Sequence, residues 1–216
     1  VGTIKIAERE DALAAVSIAE QAFKAWNQTD VNHRADVIEK AADLLEQHHA
    51  ELIVLLMREA GKTLLDAIAE LREAVDFCRY YSEQARTLLL PQALSGYTGE
   101  ADTLQLKGRG PMVCISPWNF PLAIFTGQVV GSLAVGNTVL AKPAEQTPLI
   151  ALRTVELLYQ AGVPKNVLQL LPGDGAVVGS ALTEHPGVAG VIFTGSNATA
   201  KIIQRSQASS DGPIVP

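Results

Sequence analysis

Residues 113–145 read VCISPWNFPLAIFTGQVVGSLAVGNTVLAKPAE, and this stretch contains two short apolar runs, a longer apolar run and most of the candidate site residues. Residues 112–115 and 138–141 have the length and composition of buried strands. Between them, residues 122–134 carry apolar side chains at helical spacing. The order predicts a strand–helix–strand unit of an α/β protein with a parallel sheet.

The turn after the first of these strands carries Asn119 between Pro117 and Pro121. Ligands of open α/β sheets bind just outside the carboxyl ends of the strands. An Asn there can donate its amide N–H to a developing oxyanion without titrating. Spacing alone favours the simpler alternative, a helix cap, because Asn is a preferred capping residue.

The second strand is followed by Lys142 and Glu145, a cation and a carboxylate three residues apart. A carboxylate at a strand end can accept hydrogen bonds from two sugar hydroxyls, as acidic residues do in dinucleotide-binding folds. The Lys can donate to a further hydroxyl. The alternative is a surface ion pair contributing about 0–1 kcal/mol.

Three motifs carry a resemblance to a known family. PWNFP at residues 117–121, AKPAEQTP at 141–148 and FTGS at 193–196 resemble the NAD-binding half of the aldehyde dehydrogenase superfamily, in its order and spacing. Three ordered motifs are a more specific signal than one glycine-rich loop. REAGKT at 58–63, AIAELREAVDFCRYY at 67–81 and ISPWNFPLAIFTGQ at 115–128 are similar to the pyrroline-5-carboxylate dehydrogenase module of bacterial proline utilisation A. The resemblance covers nearly the whole chain.

The resemblance implies a parent enzyme that oxidises L-glutamate γ-semialdehyde to glutamate with NAD, in proline catabolism. Asn119 would be the catalytic oxyanion donor, and Phe120 would flank the aldehyde. Glu70 or Glu73 would meet the α-amino group of the substrate, although ion pairs along a wet helix face explain both carboxylates more simply. The implied cofactor-binding residues are Ser116, Trp118, Lys142, Glu145, Gly175, Gly195 and Ser196.

Two glycine-containing turns follow the central unit. PGDGAVVG at 172–179 is a permissive turn that would let the backbone approach a ligand. The FTGS segment joins a strand to a helix, where free N–H groups and the helix dipole favour an anion. Ser196 either caps that helix, binds a phosphate, or does both. Ala200 stands where the superfamily often has glycine, which leaves the pose of the cofactor open.

The expected fold is therefore a partial aldehyde dehydrogenase fold, with an N-terminal helical layer on a Rossmann-like parallel sheet and without the catalytic domain. Periodicity predicts helices at 8–26, 32–56 and 64–88 within a helical region, residues 1–95. Residues 96–110 are expected to form a linker and an oligomerisation-arm strand, since 91–100 is rich in turn residues and 102–107 alternates. Residues 111–216 would be an incomplete NAD-binding region.

Composition excludes several other classes. The 216 residues are 48% hydrophobic and 19% charged, as in ordinary globular proteins. A net charge of −6 gives no basic footprint for nucleic acid. Without an apolar run near eighteen residues or a signal sequence, the chain is expected to be cytoplasmic. The expected partners are a small aldehyde and further copies of the chain, and the resemblance allows a fusion to a proline dehydrogenase domain.

The remaining reactive side chains predict no catalytic or metal centre. Cys78 lies in a helical pattern and Cys114 in an apolar strand, whereas reactive cysteines need exposed, electropositive surroundings. His33, His48 and His49 have no accompanying acidic or Cys ligands, so no metal site is expected. Lacking the family's nucleophilic Cys and general-base Glu, the chain by itself is expected to be inactive. Another aldehyde dehydrogenase, or a non-catalytic nucleotide-binding or assembly module, remains the alternative.

Overall fold

The structure, a computed structural model, describes residues 2–208 of the chain. The part of the predicted NAD-binding region beyond residue 208 lies outside the described residues. The first four helices are α1 (Arg9–Gln28), α2 (Val31–Gln47), α3 (His49–Glu59) and α4 (Leu64–Leu88). The later elements are β1 (Gln92–Leu94), β2 (Asp102–Leu104), β3 (Pro111–Ile115), α5 (Ala123–Val135), β4 (Thr138–Lys142), α6 (Pro148–Ala161), β5 (Leu168–Leu170), a π-helical turn (Gly175–Gly179), α7 (Ser180–Thr183), β6 (Gly190–Phe193) and α8 (Asn197–Gln207).

Strands β3 to β6 form one parallel sheet in the order β5-β4-β3-β6. Cys114 of β3 lies opposite Ala141 of β4 and Ile192 of β6, so the carboxyl ends of these strands are in register. The chain builds β3, β4 and β5 in one direction and then returns to place β6 on the other side of β3. The predicted α/β class and parallel sheet are confirmed.

Helices cover both faces of this sheet. On one face, α5 and α6 pack on the strands and are covered in turn by α2, α3 and α4. On the other face, α1 packs with α7 and α8 over Val113, Leu140 and Val191. The first helix thus leaves the other three of the predicted N-terminal layer over most of its length, although Ala22 and Trp26 near its end pack in the core that contains α2 and α5. No helix within residues 2–208 has the length and apolar character needed to cross a membrane.

Strands β1 and β2 form an antiparallel hairpin in which Ala93 lies opposite Thr103. Strand β1 was not predicted from the sequence, and it lies inside the turn-rich stretch 91–100 that was expected to contribute to a linker. All residues from 91 to 107 are exposed. The predicted strand at 102–107 is confirmed in its first half, and the hairpin lies on the surface of the described chain. Its predicted use as an oligomerisation arm stays a prediction.

Candidate functional site

The order of strands reverses between β3 and β6, and two predicted motifs meet there. The Thr194 N–H donates to the carbonyl of Ile115 at 3.1 Å. The Gln128 amide donates to the same carbonyl at 3.2 Å and to the Thr194 hydroxyl at 3.1 Å. Such a reversal is the usual ligand-binding place in open α/β sheets. Sequence analysis missed Gln128, although it carries the one amide side chain of a mostly apolar helix, and that signal could have identified it.

Asn119 lies in the exposed turn between β3 and α5. The residue at the N-cap position of α5 is Leu122, which supplies no side-chain hydrogen bond. The two free N–H groups of Leu122 and Ala123 instead donate to the Glu70 carboxylate, at 2.8 and 3.2 Å. The helix-cap alternative for Asn119 is therefore wrong. Within residues 2–208 the Asn119 amide makes no hydrogen bond, so it is available to a ligand.

Glu70 has a structural role that the sequence did not indicate. Its side chain is fully buried, and its Oε2 lies 2.6 Å from Nζ of Lys62. The interpretation of Glu70 as part of a wet acidic face is therefore wrong, because that carboxylate points into the protein. The structure also contradicts its expected contact with substrate, since neither oxygen reaches the surface. Glu73 is exposed and lines a shallow groove of about 430 Å³ along α4.

The aromatic residues of the same turn face outward. Trp118 is 58% exposed and Phe120 is 38% exposed. The ammonium of Lys62 lies 4.1 Å from the centroid of the Phe120 ring, within the range of a cation–π contact. The Asn119 amide thus lies between an exposed Trp118 ring and a Phe120 ring that contacts Lys62.

Lys142, at the end of β4, is only 5% exposed. Burial lowers the pKa of its ammonium, while the carboxylates of Glu145 and Asp174 act in the opposite direction. Its Nζ donates one long hydrogen bond, 3.4 Å, to the carbonyl of Pro143. A surface ion pair is therefore the wrong interpretation of Lys142 and Glu145, because the Lys is buried and no direct ion pair joins the two among the described residues. Buried donors normally have close acceptors, so this ammonium retains donors for a ligand.

Glu145 and the glycine turn, predicted separately, lie together. The exposed Glu145 carboxylate accepts a hydrogen bond from the Gly175 N–H at 2.8 Å through Oε1. Asp174 holds the same turn by accepting from the N–H groups of Ala176 and Val177, at 2.7 and 3.2 Å. Glu145 is thus fixed close to the end of β4, and within residues 2–208 its second oxygen accepts no hydrogen bond.

At the carboxyl ends of the strands, helix α8 differs from α5 and α6 because no carboxylate caps its N-terminus. The start of α5 is capped by Glu70. The N–H groups of Leu149 and Ile150 at the start of α6 donate to the Glu59 carboxylate at 2.8 and 2.9 Å. Helix α8 has no acidic residue in its first turn. Its cap is Ser196, which accepts from the Thr199 N–H at 3.1 Å. An anion would therefore bind most readily at α8.

Gly195 and Ser116 follow strands β6 and β3 at the carboxyl end of the sheet. A Cβ at Gly195 would lie 2.6 Å from the Phe193 ring, so a side chain there would push that ring aside. Ser116 is 4% exposed, and its hydroxyl has no hydrogen-bond partner within the described chain. A buried hydroxyl beside Lys142 without a partner is the kind of group that a ligand satisfies.

A cavity of about 800 Å³ adjoins the strand reversal, between α4, α5 and β6. It is lined mainly by apolar and aromatic side chains, including Phe77, Tyr81 and Ile192. Gln128 and Thr194 of the strand reversal also line it, whereas none of the predicted catalytic, substrate or cofactor residues does. The predicted site residues therefore lie outside this cavity.

The cysteines do not add a nucleophile to the site. Cys78 and Cys114 are both fully buried, and burial raises the pKa of each thiol to about 12. Thiols in such surroundings stay protonated and unreactive at neutral pH. In the range 2–208 no group of three His, Cys, Asp or Glu side chains is arranged to hold a metal ion.

Comparison with known proteins agrees with this geometry. The chain is 48% identical over 213 residues to the bifunctional protein PutA of Klebsiella aerogenes, covering 99% of this chain and 15% of that protein. It is 39% identical over 198 residues to the 1-pyrroline-5-carboxylate dehydrogenase of Bacillus subtilis, covering 92% of this chain and 38% of the relative. The chain thus spans well under half the length of these relatives.

Solved structures show the same similarity. A proline utilization A variant from Bradyrhizobium japonicum matches with a TM-score of 0.96 at 55% identity, over 99% of this chain and 22% of that one. A 1-pyrroline-5-carboxylate dehydrogenase from Thermus, with bound NAD, matches with a TM-score of 0.90 at 39% identity, over 93% and 39%. The aldehyde dehydrogenase family model matches residues 1–215. The chain therefore belongs to the aldehyde dehydrogenase family.

Proposed function

We propose that the complete protein containing this chain oxidises L-glutamate γ-semialdehyde to glutamate with NAD, and that this chain holds the cofactor and one oxyanion donor. The observation that carries the proposal is the unengaged Asn119 amide at the strand reversal, next to the open start of α8. The relatives named 1-pyrroline-5-carboxylate dehydrogenase support the choice of substrate.

The described residues fit a dinucleotide. The N–H groups at the start of α8 and the Ser196 hydroxyl would hold the pyrophosphate. The second oxygen of Glu145 and the ammonium of Lys142 would hold a ribose, and the Ser116 hydroxyl would gain a partner. Trp118 and Gly175 would border the cofactor, as predicted. NAD would accept the hydride from the substrate.

Asn119 would donate to the aldehyde oxygen as negative charge develops on it, and Phe120 would flank the carbon skeleton. A Cys thiolate is the family's nucleophile, and both cysteines here are buried and protonated, so we place the nucleophile outside this chain. The inactivity of the isolated 216 residues, a homo-oligomeric state, a cytoplasmic location and a fusion to a proline dehydrogenase domain all stay predictions.

Replacing Glu145 with alanine tests the cofactor site. We expect NAD binding to weaken by roughly 1–3 kcal/mol, because hydrogen bonds from ribose hydroxyls to a charged group are lost. NADP should bind less well than NAD to the unaltered protein, because its 2′-phosphate would meet the Glu145 carboxylate as a like charge. Calorimetric titration of the complete protein with each cofactor measures both effects.

The matched control is Asp174→Ala, which loosens the same turn through Ala176 and Val177 without removing the Glu145 carboxylate. If Asp174→Ala and Glu145→Ala weaken NAD binding equally, the turn and not the ribose contact explains the loss. Unchanged affinity in Glu145→Ala would end the assignment.

Lys142→Met should stabilise the protein while weakening NAD binding. Burial lowers the pKa of Lys142 from its ordinary value of 10.5, so the unfolded chain holds this proton more tightly than the folded one. The stability contributed by this group therefore rises with pH between the lowered pKa and 10.5, and below that window the buried charge is a cost. Removing it at neutral pH should raise the melting temperature, by about 2–4 °C for each kcal/mol regained.

Melting curves at pH 7 and near pH 10 check the sign of this effect. The gain in melting temperature from Lys142→Met should shrink toward the higher pH, where the unaltered Lys carries less charge. A lower melting temperature at pH 7 would mean that the buried ammonium is satisfied without a ligand.

A further inference from the structure

The loop between α3 and α4 places Lys62 beneath the turn that carries Asn119. Its side chain is 11% exposed. Its Nζ lies 2.6 Å from Glu70 Oε2 and 4.1 Å from the centroid of the Phe120 ring. The other Glu70 oxygen holds the first N–H groups of α5. Contacts therefore run from the Phe120 ring through the Lys62 ammonium and the Glu70 carboxylate to the N-terminus of α5.

Capping of α5 does not by itself require the ammonium. An N-terminus is capped well by an uncharged Ser, Thr or Asn, and a buried ion pair is weak evidence for stability because an apolar pair of similar size often serves as well. What the ammonium adds is its second contact, to the face of the Phe120 ring. The Lys62 side chain that makes this contact is 11% exposed, and Phe120 itself is 38% exposed.

The backbone of the turn is restrained on either side of Phe120. Pro117 and Pro121 fix their own φ angles, and the Phe120 carbonyl accepts a hydrogen bond from the Ile124 N–H at 3.3 Å. The Asn119 side chain makes no hydrogen bond within residues 2–208. The orientation of the Asn119 amide therefore depends on the conformation of the turn. Within that turn, Phe120 is the side chain that contacts a charged group, the Lys62 ammonium.

We propose that Lys62 is a positioning residue of the aldehyde site: anchored on Glu70, its ammonium holds the Phe120 ring by its face and so fixes the turn that presents the Asn119 amide. The inference rests on the proposed aldehyde oxidation. It assigns to Lys62 no contact with substrate or cofactor, since Lys62 acts through the Phe120 ring.

Kinetics of the complete protein test this role with Lys62→Met, which keeps most of the side-chain volume and removes the charge. We expect kcat/KM for the aldehyde to fall roughly 10- to 100-fold, as small misplacements of a positioning group do, with NAD affinity unchanged. Lys62→Arg should restore most of the loss because it returns the cation. Lys165→Met is the matched control, since Lys165 also lies over a ring, that of Tyr159, at 5.8 Å.

A double substitution separates positioning from mere stability. In a Phe120→Leu background, Lys62→Met should cause no further loss of kcat/KM, because the ring that transmits its effect is gone. Its effect on melting temperature should persist there, because Glu70 still lacks its cation. An equal loss of kcat/KM in both backgrounds would overturn the proposal.

Hydrogen–deuterium exchange gives a readout that does not depend on activity. Resolved at single amides, the Ile124 N–H, which donates to the Phe120 carbonyl of the turn, should exchange faster in Lys62→Met, while the amides of Leu122 and Ala123 stay protected by Glu70. Lys165→Met should change none of them. Equal loss of protection at Ile124 and at Leu122 and Ala123, or no change at any of the three, would overturn the positioning role.

The kinetic and exchange experiments distinguish failure of the proposed aldehyde oxidation from failure of the proposed role of Lys62. If the unaltered protein forms no NADH with the aldehyde, the proposed function fails, while the exchange pattern still decides whether Lys62 orders the turn. If Lys62→Met does not fold, Phe120→Leu is used for the exchange test, because loss of the ring should speed exchange at Ile124 and leave Leu122 and Ala123 protected. Protection of Ile124 equal to that in the unaltered protein would then refute the role of the ring.

Discussion

Replacing Asn119 with alanine in the complete protein is expected to lower kcat by about 10²–10³-fold and to leave the affinity for NAD nearly intact. The amide of Asn119 makes no hydrogen bond in residues 2–208, and the start of α5 is capped by Glu70. Its removal should therefore remove an interaction made only as charge develops on the aldehyde oxygen. Loss of that kind appears in kcat and not in cofactor binding.

The same substitution should hardly affect stability, because exposed residues without fixed partners usually change it by less than about 0.5 kcal/mol. Steady-state kinetics, calorimetric titration of NAD and a melting curve together give the full test. Asn32→Ala, which removes an exposed Asn side chain from α2, is the control for a general effect of amide loss. Normal turnover in Asn119→Ala, or a clear drop in melting temperature, would return Asn119 to a structural role.

The long, strongly patterned elements could be predicted because their signals are local. Helix α4 runs over the predicted 64–88, with Thr63 accepting from the Asp66 N–H as its cap. Helix α6 begins at Pro148, where proline is tolerated, and ends at Ala161, before Gly162, whose φ is +126°. In each case the start and stop residues lie within the element or next to it, so no distant contact was needed.

The elements that were predicted wrongly depend on partners elsewhere in the chain or on breaks that periodicity does not show. Strand β1 has three residues in a turn-rich stretch, and only its pairing with β2, Leu94 opposite Asp102, makes it a strand. The predicted helix 32–56 is two helices that meet at His48. A period of 3.6 residues continues through that junction, so hydrophobic spacing could not separate them.

Within the candidate site, too, local features could be predicted from the sequence and long-range contacts could not. Motifs identified Asn119, Lys142 and Glu145 correctly as neighbours of strand ends, because a strand end is a local feature. The burial of Lys142 and the partners of Glu70 are long-range properties. Glu70 meets the N–H of Leu122 across 52 residues of sequence, and its charged neighbours on α4 have the spacing of a wet face. Nothing within one helix could show that this carboxylate points inward.

Glu70→Ala is expected to destabilise the protein by about 3–5 kcal/mol, because removing one partner leaves the Lys62 ammonium buried without a counter-ion. The first N–H groups of α5 would lose their acceptor at the same time. Urea denaturation followed by circular dichroism measures the change. The control is Glu59→Ala, which removes an equivalent cap from partly buried N–H groups of α6 and should cost only about 0.5–2 kcal/mol.

The double variant Lys62→Met/Glu70→Ala identifies the source of the cost. If the stranded ammonium dominates, removing it as well should recover stability relative to Glu70→Ala, because a buried pair replaced by apolar side chains is often nearly neutral. The remaining deficit would then measure the uncapped start of α5, and it should approach the cost of Glu59→Ala. A double variant no more stable than Glu70→Ala would assign the whole loss to the helix cap, and Lys62 would then contribute nothing to stability through its charge.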